Sequence, residues 1–406
     1  MAIGLGITTE LKPVAGVALA VASAGIKKPG HIDLVLLELA AGSSIAAVWT
    51  QNRFCAAPIT VAQQHWAQPH EGPHYLLINT GNANAGTGAQ GLADAKQCCA
   101  ELAKLLAVPN GSILPFSTGV IGEYLPLDRI SAALPTLRQC LGQATWLDTA
   151  NAIMTTDTRA KAHSVSLDLG ETTITVTGVA KGSGMICPNM ATMLGFVTTD
   201  AQVAQADLQA VLDSVNAQTF NRITVDGDTS TNDACILAAT GVSGVHLAPN
   251  QANWTAFCDA IYEVMLSLAL QIVRDGEGAT RMVAIEVSAA ASADDALAVA
   301  YTVAHSPLFK TALSAGDANW GRILAAIGRA PIAQLDLAQV TIHLEEVPLV
   351  LAGARHPDYV EALGAEIFQR EAFRIRIHLG AGLAQETVWT TDLSHEYVSI
   401  NADYRS

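Results

Sequence analysis

Charged side chains are scarce in this 406-residue chain: Asp, Glu, Lys and Arg make up 15% of it, while hydrophobic residues make up 50%. A chain with so few charges and so much apolar surface to bury does not have the composition of a disordered protein. Positive charge is the scarcer sign, with 22 Lys and Arg against 37 Asp and Glu and a formal net charge of −15. Because such a chain repels phosphate backbones, nucleic acid is not an expected partner.

The sequence has no CxxC pair, and its seven cysteines are an odd number. No histidine stands near them at the spacing of a zinc-ligand set. This usage predicts free thiols in a reducing cytosol, without disulfides and without a metal site.

Long apolar runs are also missing, since the apolar run at residues 14–24 is too short to span a bilayer. The run ends in Ala22-Ser23-Ala24, which resembles a signal-peptide cleavage box. No clear positive segment precedes it, however, and Lys27 and Lys28 follow at once. We therefore predict a buried strand here, and a cytoplasmic protein that contacts no membrane.

Internal repeats, heptads and Pro- or Ser-rich linkers are absent, and strand patterns alternate with helix patterns along the chain. We predict strands at residues 31–39, 46–50, 74–79, 171–179, 282–288, 340–344 and 373–379, and helices at 91–106, 206–220, 254–273 and 294–303. This mixture predicts an α/β (α+β) protein. The length favours two domains. A weak boundary near residues 280–284 divides the chain into domains 1–282 and 283–406, the second smaller.

Residues 86–91 read Gly-Thr-Gly-Ala-Gln-Gly, the GxGxxG pattern of dinucleotide-binding turns. Two further features of that fingerprint fail. Residues 80–85 separate the glycines from the preceding strand, and no strand ending in Asp or Glu follows about 20 residues on. A glycine-rich turn that opens a helix is the better interpretation. A nucleotide-binding oxidoreductase, or a binding module without catalysis, is kept as an alternative.

Two other glycine-rich segments carry hydroxyl or thiol groups. In residues 115–122, Thr118 stands beside Gly119, a pairing that can direct backbone N–H groups at an anion, although a tight turn is the simpler interpretation. Residues 181–196 contain Cys187, a candidate nucleophile. Because no histidine is tied to it by spacing, we interpret Cys187 as a buried structural residue.

Carboxylates mark two more segments. Residues 225–233 alternate Asp with small polar residues, which suggests calcium, but their spacing departs from that of an EF-hand loop. Hydrogen-bonded turn residues explain them better. In residues 275–281 glycines flank Glu277, which indicates either close packing against a ligand or the end of a helix.

Long motifs of one family occur in order along nearly the whole chain. They are Gly25-Ile26-Lys27-Lys28-Pro29-Gly30, Asn79-Thr80-Gly81-Asn82-Ala83-Asn84-Ala85, Met154-Thr155-Thr156-Asp157-Thr158, residues 181–196, 224–233 and 275–281, Gly316-Asp317-Ala318-Asn319-Trp320-Gly321-Arg322, Asp392-Leu393-Ser394 and Asn401-Ala402-Asp403-Tyr404. With them the sequence resembles the ornithine acetyltransferase/glutamate N-acetyltransferase family of arginine biosynthesis. The sequence departs from the family at Ala318, where members often have Pro. This position affects packing more than catalysis.

The resemblance implies a self-cleaving N-terminal-nucleophile enzyme whose catalytic domain, residues 1–282, layers sheets and helices. The precursor would be cut between Ala191 and Thr192 into an α chain, 1–191, and a β chain, 192–406, which assemble as a heterotetramer of two α and two β chains. Thr192 becomes the new N-terminus and nucleophile, and Thr118 and Gly119 match the oxyanion hole. Substrate-binding positions are matched by Thr155, Lys181, Thr192, Glu277, Asn401 and Ser406. Because Thr156 and Thr158 stand close to Thr155 in the sequence, the question of which of the three threonines contacts the substrate stays open.

The chemistry of these groups fits the implied roles. A threonine hydroxyl needs a base to become a nucleophile. Cleavage would supply the α-amino group of Thr192, whose ordinary pKa is about 8, and a nearby Lys181 ammonium would lower that pKa. The implied reaction moves an acetyl group from N2-acetyl-L-ornithine to L-glutamate through acetyl-Thr192, without a cofactor; acetyl-CoA stays open as another acetyl donor.

The main alternative is an amidase or aminopeptidase of the related self-cleaving fold, in which water replaces glutamate. The run at 181–196 and the intact C-terminal motif favour the transferase. For the tail, we predict that residues 397–400 dock as a strand and place Asn401 over the site. The alternative is a tail that only completes a sheet edge.

Overall fold

The computed structural model describes residues 2–4, 10–26, 28–68, 70–170, 172–187 and 193–402. Within them the chain forms eighteen strands and eleven α-helices. The predicted mixed α/β class is therefore confirmed, and the elements separate into two sets.

The first set contains two large sheets, a two-stranded pair and six helices. A four-stranded sheet consists of β1 (Val17–Ala22), β2 (Leu34–Leu39), β4 (His74–Asn82) and β5 (Ile113–Val120), in that spatial order. A five-stranded sheet consists, in spatial order, of β3 (Ser44–Trp49), β11 (Ala234–Ala239), β8 (Leu194–Thr199), β7 (Thr173–Lys181) and β6 (Lys161–Asp168). The short strands β9 (Gln202–Val203) and β12 (His246–Leu247) pair with each other. The helices are α1 (Ala57–Trp66), α2 (Gly88–Leu106), α3 (Leu127–Gln139), α4 (Trp146–Ala152), α5 (Gln205–Gln218) and α6 (Trp254–Arg274).

The two sheets pack face to face between layers of helices. Because successive strand residues point to opposite faces, Val35 belongs to the core between the sheets, together with Phe196 of the five-stranded sheet. Its neighbour Leu36 packs on the other face with residues of α2 and α3. Val197 likewise packs with residues of α5 and α6. The first set is thus a four-layer helix–sheet–sheet–helix arrangement.

The second set surrounds a seven-stranded sheet. In spatial order its strands are β10 (Ile223–Thr224), β18 (Ala384–Thr391), β13 (Met282–Ala290), β17 (Ala372–His378), β14 (Thr341–Leu344), β15 (Val347–Leu351) and β16 (Ala354–Arg355). Its helices are α7 (Ala293–Ala304), α8 (Pro307–Ala315), α9 (Trp320–Gly328), α10 (Glu361–Phe368) and α11 (His395–Ala402). The buried core of this sheet begins at Val283, yet β10, which lies between α5 and α6 in the chain, pairs with β18. The division at 282/283 therefore stays a prediction.

Helix α6 is the one helix among the described residues that is long and apolar enough to cross a membrane. Half of its apolar window is buried in the first set, where residues such as Val264 and Leu268 pack in the core on the five-stranded sheet. This one-sided burial is what a core helix of a globular protein shows.

Two local predictions are wrong. Residues 115–122 are not a tight turn, because residues 113–118 pair in parallel with residues 75–80 of β4 and extend to Val120 as β5. The tail at residues 397–400 forms helix α11 rather than a strand. Local hydrogen bonds favour the helix: the Tyr397 N–H donates to Ser394 Oγ, and Asn401 Nδ2 donates to the Tyr397 carbonyl one turn back.

Candidate active site

A cavity of about 160 Å³ opens where the ends of β5 and β7 approach the loop after α6 and the C-terminal helix α11. It is lined by Ala83, Thr118, Gly119, Ile121, Thr155, Thr156, Lys181, Gly184, Met185, Ser230, Thr231, Asn232, Glu277 and Asn401. The cavity therefore brings together six of the predicted site residues: Thr118, Gly119, Thr155, Lys181, Glu277 and Asn401. The other three, Ala191, Thr192 and Ser406, lie outside the described residues.

Gly119 occupies a position that only glycine fits. Its φ is +138°, and a Cβ built there would lie 2.3 Å from the carbonyl carbon of Gly81. The register between β4 and β5 shifts at Gly81 and Asn82. The two strands thus approach each other closely at the cavity, and Thr118 and Gly119 are held at its edge by the backbone itself.

Lys181 ends β7 and is buried in the cavity wall, where its Nζ donates to Thr118 Oγ1 at 3.1 Å. Burial lowers the pKa of Lys181 from its ordinary value, and nearby carboxylates oppose that shift in part. Because an ammonium is only a donor, the Thr118 hydroxyl accepts this bond and keeps its own hydrogen to donate. The pair can therefore present both a positive charge and a hydrogen-bond donor to a bound molecule.

Glu277 and Asn401 meet on another side of the cavity. Asn401 Nδ2 donates to Glu277 Oε2 at 2.9 Å, and Glu277 is 8% exposed. Gly184 permits this placement, because a Cβ there would lie 2.4 Å from the Glu277 carboxyl carbon. The Glu277 N–H also donates to the Ser183 carbonyl at 2.8 Å. Helix α11 therefore contributes to the cavity through one carboxylate–amide contact.

The three neighbouring threonines separate into two groups. Thr155 and Thr156 line the cavity, and Thr156 Oγ1 lies 2.7 Å from Ser183 Oγ. The hydroxyl of Thr158 instead donates to the carboxylate of Asp275. Of the three threonines, Thr158 is therefore the one that does not line the cavity, and its hydroxyl is bonded to Asp275 instead.

Asn232 is a cavity residue that the sequence did not single out. Its Nδ2 donates to the Ser117 carbonyl at 2.9 Å and to the Ala83 carbonyl at 2.7 Å. These bonds connect the ends of β4 and β5 to the segment before β11. The predicted hydrogen-bonded turn at 225–233 is correct locally, but the bond to Ser117 spans 115 residues of chain, and no local pattern signals it.

Met193 and Leu194 follow the predicted cleavage point in sequence. Met193 is buried, and its carbonyl accepts from the Ala234 N–H at 3.1 Å. The next residue, Leu194, pairs with Lys181 across β7 and β8. The described chain thus resumes after the predicted cleavage point beside the strand that carries Lys181.

Cys187 has a histidine neighbour that its spacing did not reveal, since His305 Nε2 lies 3.8 Å from its Sγ. The pair does not make a reactive thiolate. Burial, reinforced by Asp226 and Asp228, raises the pKa of Cys187 to about 12. The thiol stays protonated near neutral pH, which supports a structural role.

The GxGxxG segment folds onto itself. A Cβ at Gly91 would lie 1.8 Å from Thr87 Oγ1 and 2.3 Å from Asn84 Oδ1. Thr87 Oγ1 donates to Asn84 Oδ1, and Asn84 Nδ2 donates to the Gly91 carbonyl. The space beside this helix start is filled by the chain's own side chains, as expected for a structural turn.

Comparison with known proteins agrees with the motifs. The model of the ArgJ family matches residues 18–406. The chain belongs to the ArgJ family. Two proteins named arginine biosynthesis bifunctional protein ArgJ resemble it along their length. That of Pseudomonas fluorescens (strain Pf0-1) is 52% identical and covers 100% of both chains, and that of Methylococcus capsulatus is 52% identical over 98% of this chain and 97% of the relative.

A crystal structure of ArgJ from Bacillus halodurans is 37% identical, covers 51% of this chain and 97% of that chain, and superposes with a TM-score of 0.49. The resemblance predicted from the sequence motifs is thus confirmed at the level of the family. ArgJ membership makes the chain an acyltransferase of arginine biosynthesis.

Proposed function

We propose that this ArgJ protein cuts itself between Ala191 and Thr192 and then transfers an acetyl group from N2-acetyl-L-ornithine to L-glutamate through an ester on Thr192. One observation carries the proposal: six residues that match family site positions, from segments far apart in the chain, line one cavity. Leu194, two residues after Thr192 in sequence, pairs with Lys181 across β7 and β8, which adds support.

The proposed chemistry balances in two steps. The Thr192 hydroxyl oxygen attacks the acetyl carbonyl carbon, its proton passes to the Thr192 α-amino group and then to the departing nitrogen, and ornithine leaves. The amine of glutamate next attacks the ester and loses a proton through the same base. N-acetylglutamate departs and the hydroxyl is restored.

Charge develops on the acetyl oxygen in both steps. The hydrogen that Thr118 retains while accepting from Lys181 is available to that oxygen. The backbone of Gly119, fixed by its contact with Gly81, is the second donor in the proposal. Each such donor contributes about 3 kcal/mol to transition-state stabilisation in comparable acyl-transfer sites.

Groups of both signs suit amino-acid substrates. Lys181 offers an ammonium to a carboxylate, and Glu277 offers a carboxylate to an ammonium. The Asn401 amide both donates and accepts. Thr155 adds a hydroxyl, and Ser406 and Thr192 complete the proposed set. The proposal includes two α and two β chains in the cytoplasm and no metal or prosthetic group, with acetyl-CoA left open as a second acetyl donor.

Steady-state kinetics test the proposed reaction. Initial rates measured against acetylornithine at several glutamate concentrations should give parallel double-reciprocal lines, because the first product leaves before the second substrate attacks. The rate of acetate release without glutamate should be low compared with the rate of acetyl transfer to glutamate. Intersecting lines would contradict the two-step route, and fast acetate release that glutamate does not suppress would favour the amidase alternative.

The contact between Asn401 and Glu277 leads to a second expectation. Asn401→Ala should raise the KM for acetylornithine by about tenfold, in line with the loss of one hydrogen bond to a charged group, while self-cleavage proceeds normally. Ser399→Ala, an exposed position on the same helix, is the matched control and should leave KM unchanged. Deleting residues 401–406 should abolish transfer and spare cleavage. Normal kinetics in the deletion variant would exclude the tail from the site.

A further inference from the structure

A chain of buried charges lies behind the cavity wall. Lys161 Nζ is 2.6 Å from Asp157 Oδ1 and 2.6 Å from Asp275 Oδ2. The side chains of Lys161 and Asp157 are 0% exposed and that of Asp275 is 1% exposed. Charges so far from water are retained at a cost in desolvation, and replacing them with apolar groups is often neutral or stabilising. Stability alone is therefore a weak reason for this cluster.

Each carboxylate of the cluster holds backbone that leads into the cavity. Asp157 accepts from the Gly182 N–H at 2.7 Å and from the Thr155 N–H at 3.0 Å. Gly182 follows Lys181 directly, and Thr155 lines the cavity. Asp157 thus fixes two cavity-lining segments that are separate in sequence.

Asp275 does the same on the other side of Lys161. It accepts from the Thr158 N–H at 2.9 Å and the Arg159 N–H at 3.2 Å, and it stands two residues before Glu277. Lys161 joins the two carboxylates. The cluster consequently connects the backbones that carry Thr155, Lys181 and Glu277.

We propose that Asp157, Lys161 and Asp275 form a positioning cluster that fixes the mutual placement of Thr155, Lys181 and Glu277. The cluster residues are absent from the cavity lining, so they act through the residues that they hold. The expected changes in kinetics rest on the proposed function. The expected shifts in the pKa of Lys181 do not.

The charges around Lys181 give the electrostatic consequence a definite sign. Burial lowers the pKa of Lys181 most, Asp157, Asp233 and Glu277 raise it, and Lys161 lowers it further. Removing the charge of Asp157 should therefore lower the pKa of Lys181, whereas removing that of Lys161 should raise it.

Two variants separate these effects, and neither leaves Lys161 without a carboxylate partner. Asp157→Asn leaves Lys161 paired with Asp275, and the double variant Lys161→Met/Asp275→Asn removes one charge of each sign. The control is Arg222→Met/Glu386→Gln, which removes an ion pair of the seven-stranded sheet at 3.1 Å. Lys181 is titrated by NMR of isotopically labelled lysine side chains, with Lys181→Met used for assignment, and pH–rate profiles of acetyl transfer are recorded beside it.

The expected result is a lower Lys181 pKa in Asp157→Asn, a higher one in the double variant, and a decrease in kcat/KM on the order of ten- to a hundredfold in both. The alkaline limb of the pH–rate profile should move with the Lys181 pKa, and the control should change neither. Shifts of the same sign, absent shifts or unchanged kcat/KM would overturn the inference. If the titrations shift as stated but wild-type protein transfers no acetyl group, the proposed function fails and the electrostatic part stands.

Discussion

Thr192→Ala should leave the chain at its full length and abolish acetyl transfer. In the proposed mechanism the variant lacks the hydroxyl that attacks in self-cleavage and in acetyl transfer, and the intact peptide bond never releases the α-amino group proposed as base. We expect transfer to fall by at least about 10⁴-fold, as when the nucleophile of a comparable catalytic unit is removed. A denaturing gel with intact-mass analysis, followed by the transfer assay, measures both effects.

Two variants serve as controls for this result. Thr192→Ser keeps a hydroxyl and should still cleave, though more slowly. Cys187→Ala removes the thiol nearest to Thr192 in sequence, which the raised pKa of Cys187 marks as unreactive, and it should cleave and transfer normally. Efficient cleavage in Thr192→Ala, or its loss in Cys187→Ala, would contradict the assignment of the nucleophile.

Gly119→Ala should reduce acetyl transfer by at least a hundredfold, about 3 kcal/mol of transition-state stabilisation. The added Cβ would lie 2.3 Å from the Gly81 carbonyl carbon and 2.5 Å from the Asn82 nitrogen. Since both contacts are with backbone, β4 and β5 must separate at the cavity, and the donor at residue 119 moves with them. The decrease should appear mainly in kcat, because the displaced donor acts on the developing oxyanion.

Gly122→Ala is the matched control for Gly119→Ala. Gly122 also has positive φ, +87°, but a Cβ there would meet nothing within 4 Å. This substitution should therefore cost only about 1 kcal/mol of backbone strain in stability and leave kcat unchanged. Thermal unfolding of both variants separates a loss of stability from a loss of catalysis. Equal activity of the two variants would remove Gly119 from the proposed mechanism.

Elements specified by local sequence were predictable. The apolar run at 14–24 forms β1, and the helical periodicity at 91–106 forms α2, which begins three residues earlier at Gly88. In both cases burial of a continuous or periodic apolar face decides the structure, and that face is visible in the sequence.

Features that depend on distant partners were not predictable in this way. β5 exists because β4 pairs with it, so the glycine and threonine at its end were misread as a turn. Helix α11 contacts the loop after α6, where its Asn401 meets Glu277 across 124 residues. His305, which lies beside Cys187, and Asp275, which pairs with Lys161, are each more than 110 residues from their partner in the chain.

The family motifs supplied what periodicity could not. They named Lys181, Glu277 and Asn401 as members of one site although these residues belong to different elements. The motifs contain Asn232, Asp157 and Asp275 but assign no site role to them, and Lys161 lies outside the motifs. The roles of these residues follow from hydrogen bonds and buried ion pairs between distant segments.

Intact-mass analysis of the wild-type protein after incubation with acetylornithine alone measures whether the chain is cut and whether acetyl-Thr192 forms. We expect two chains, 1–191 and 192–406, with one acetyl group added to the second chain, located at Thr192 by fragmentation and lost when glutamate is supplied. A single uncut chain, or an acetyl group on any other residue that turns over with glutamate, would contradict this expectation.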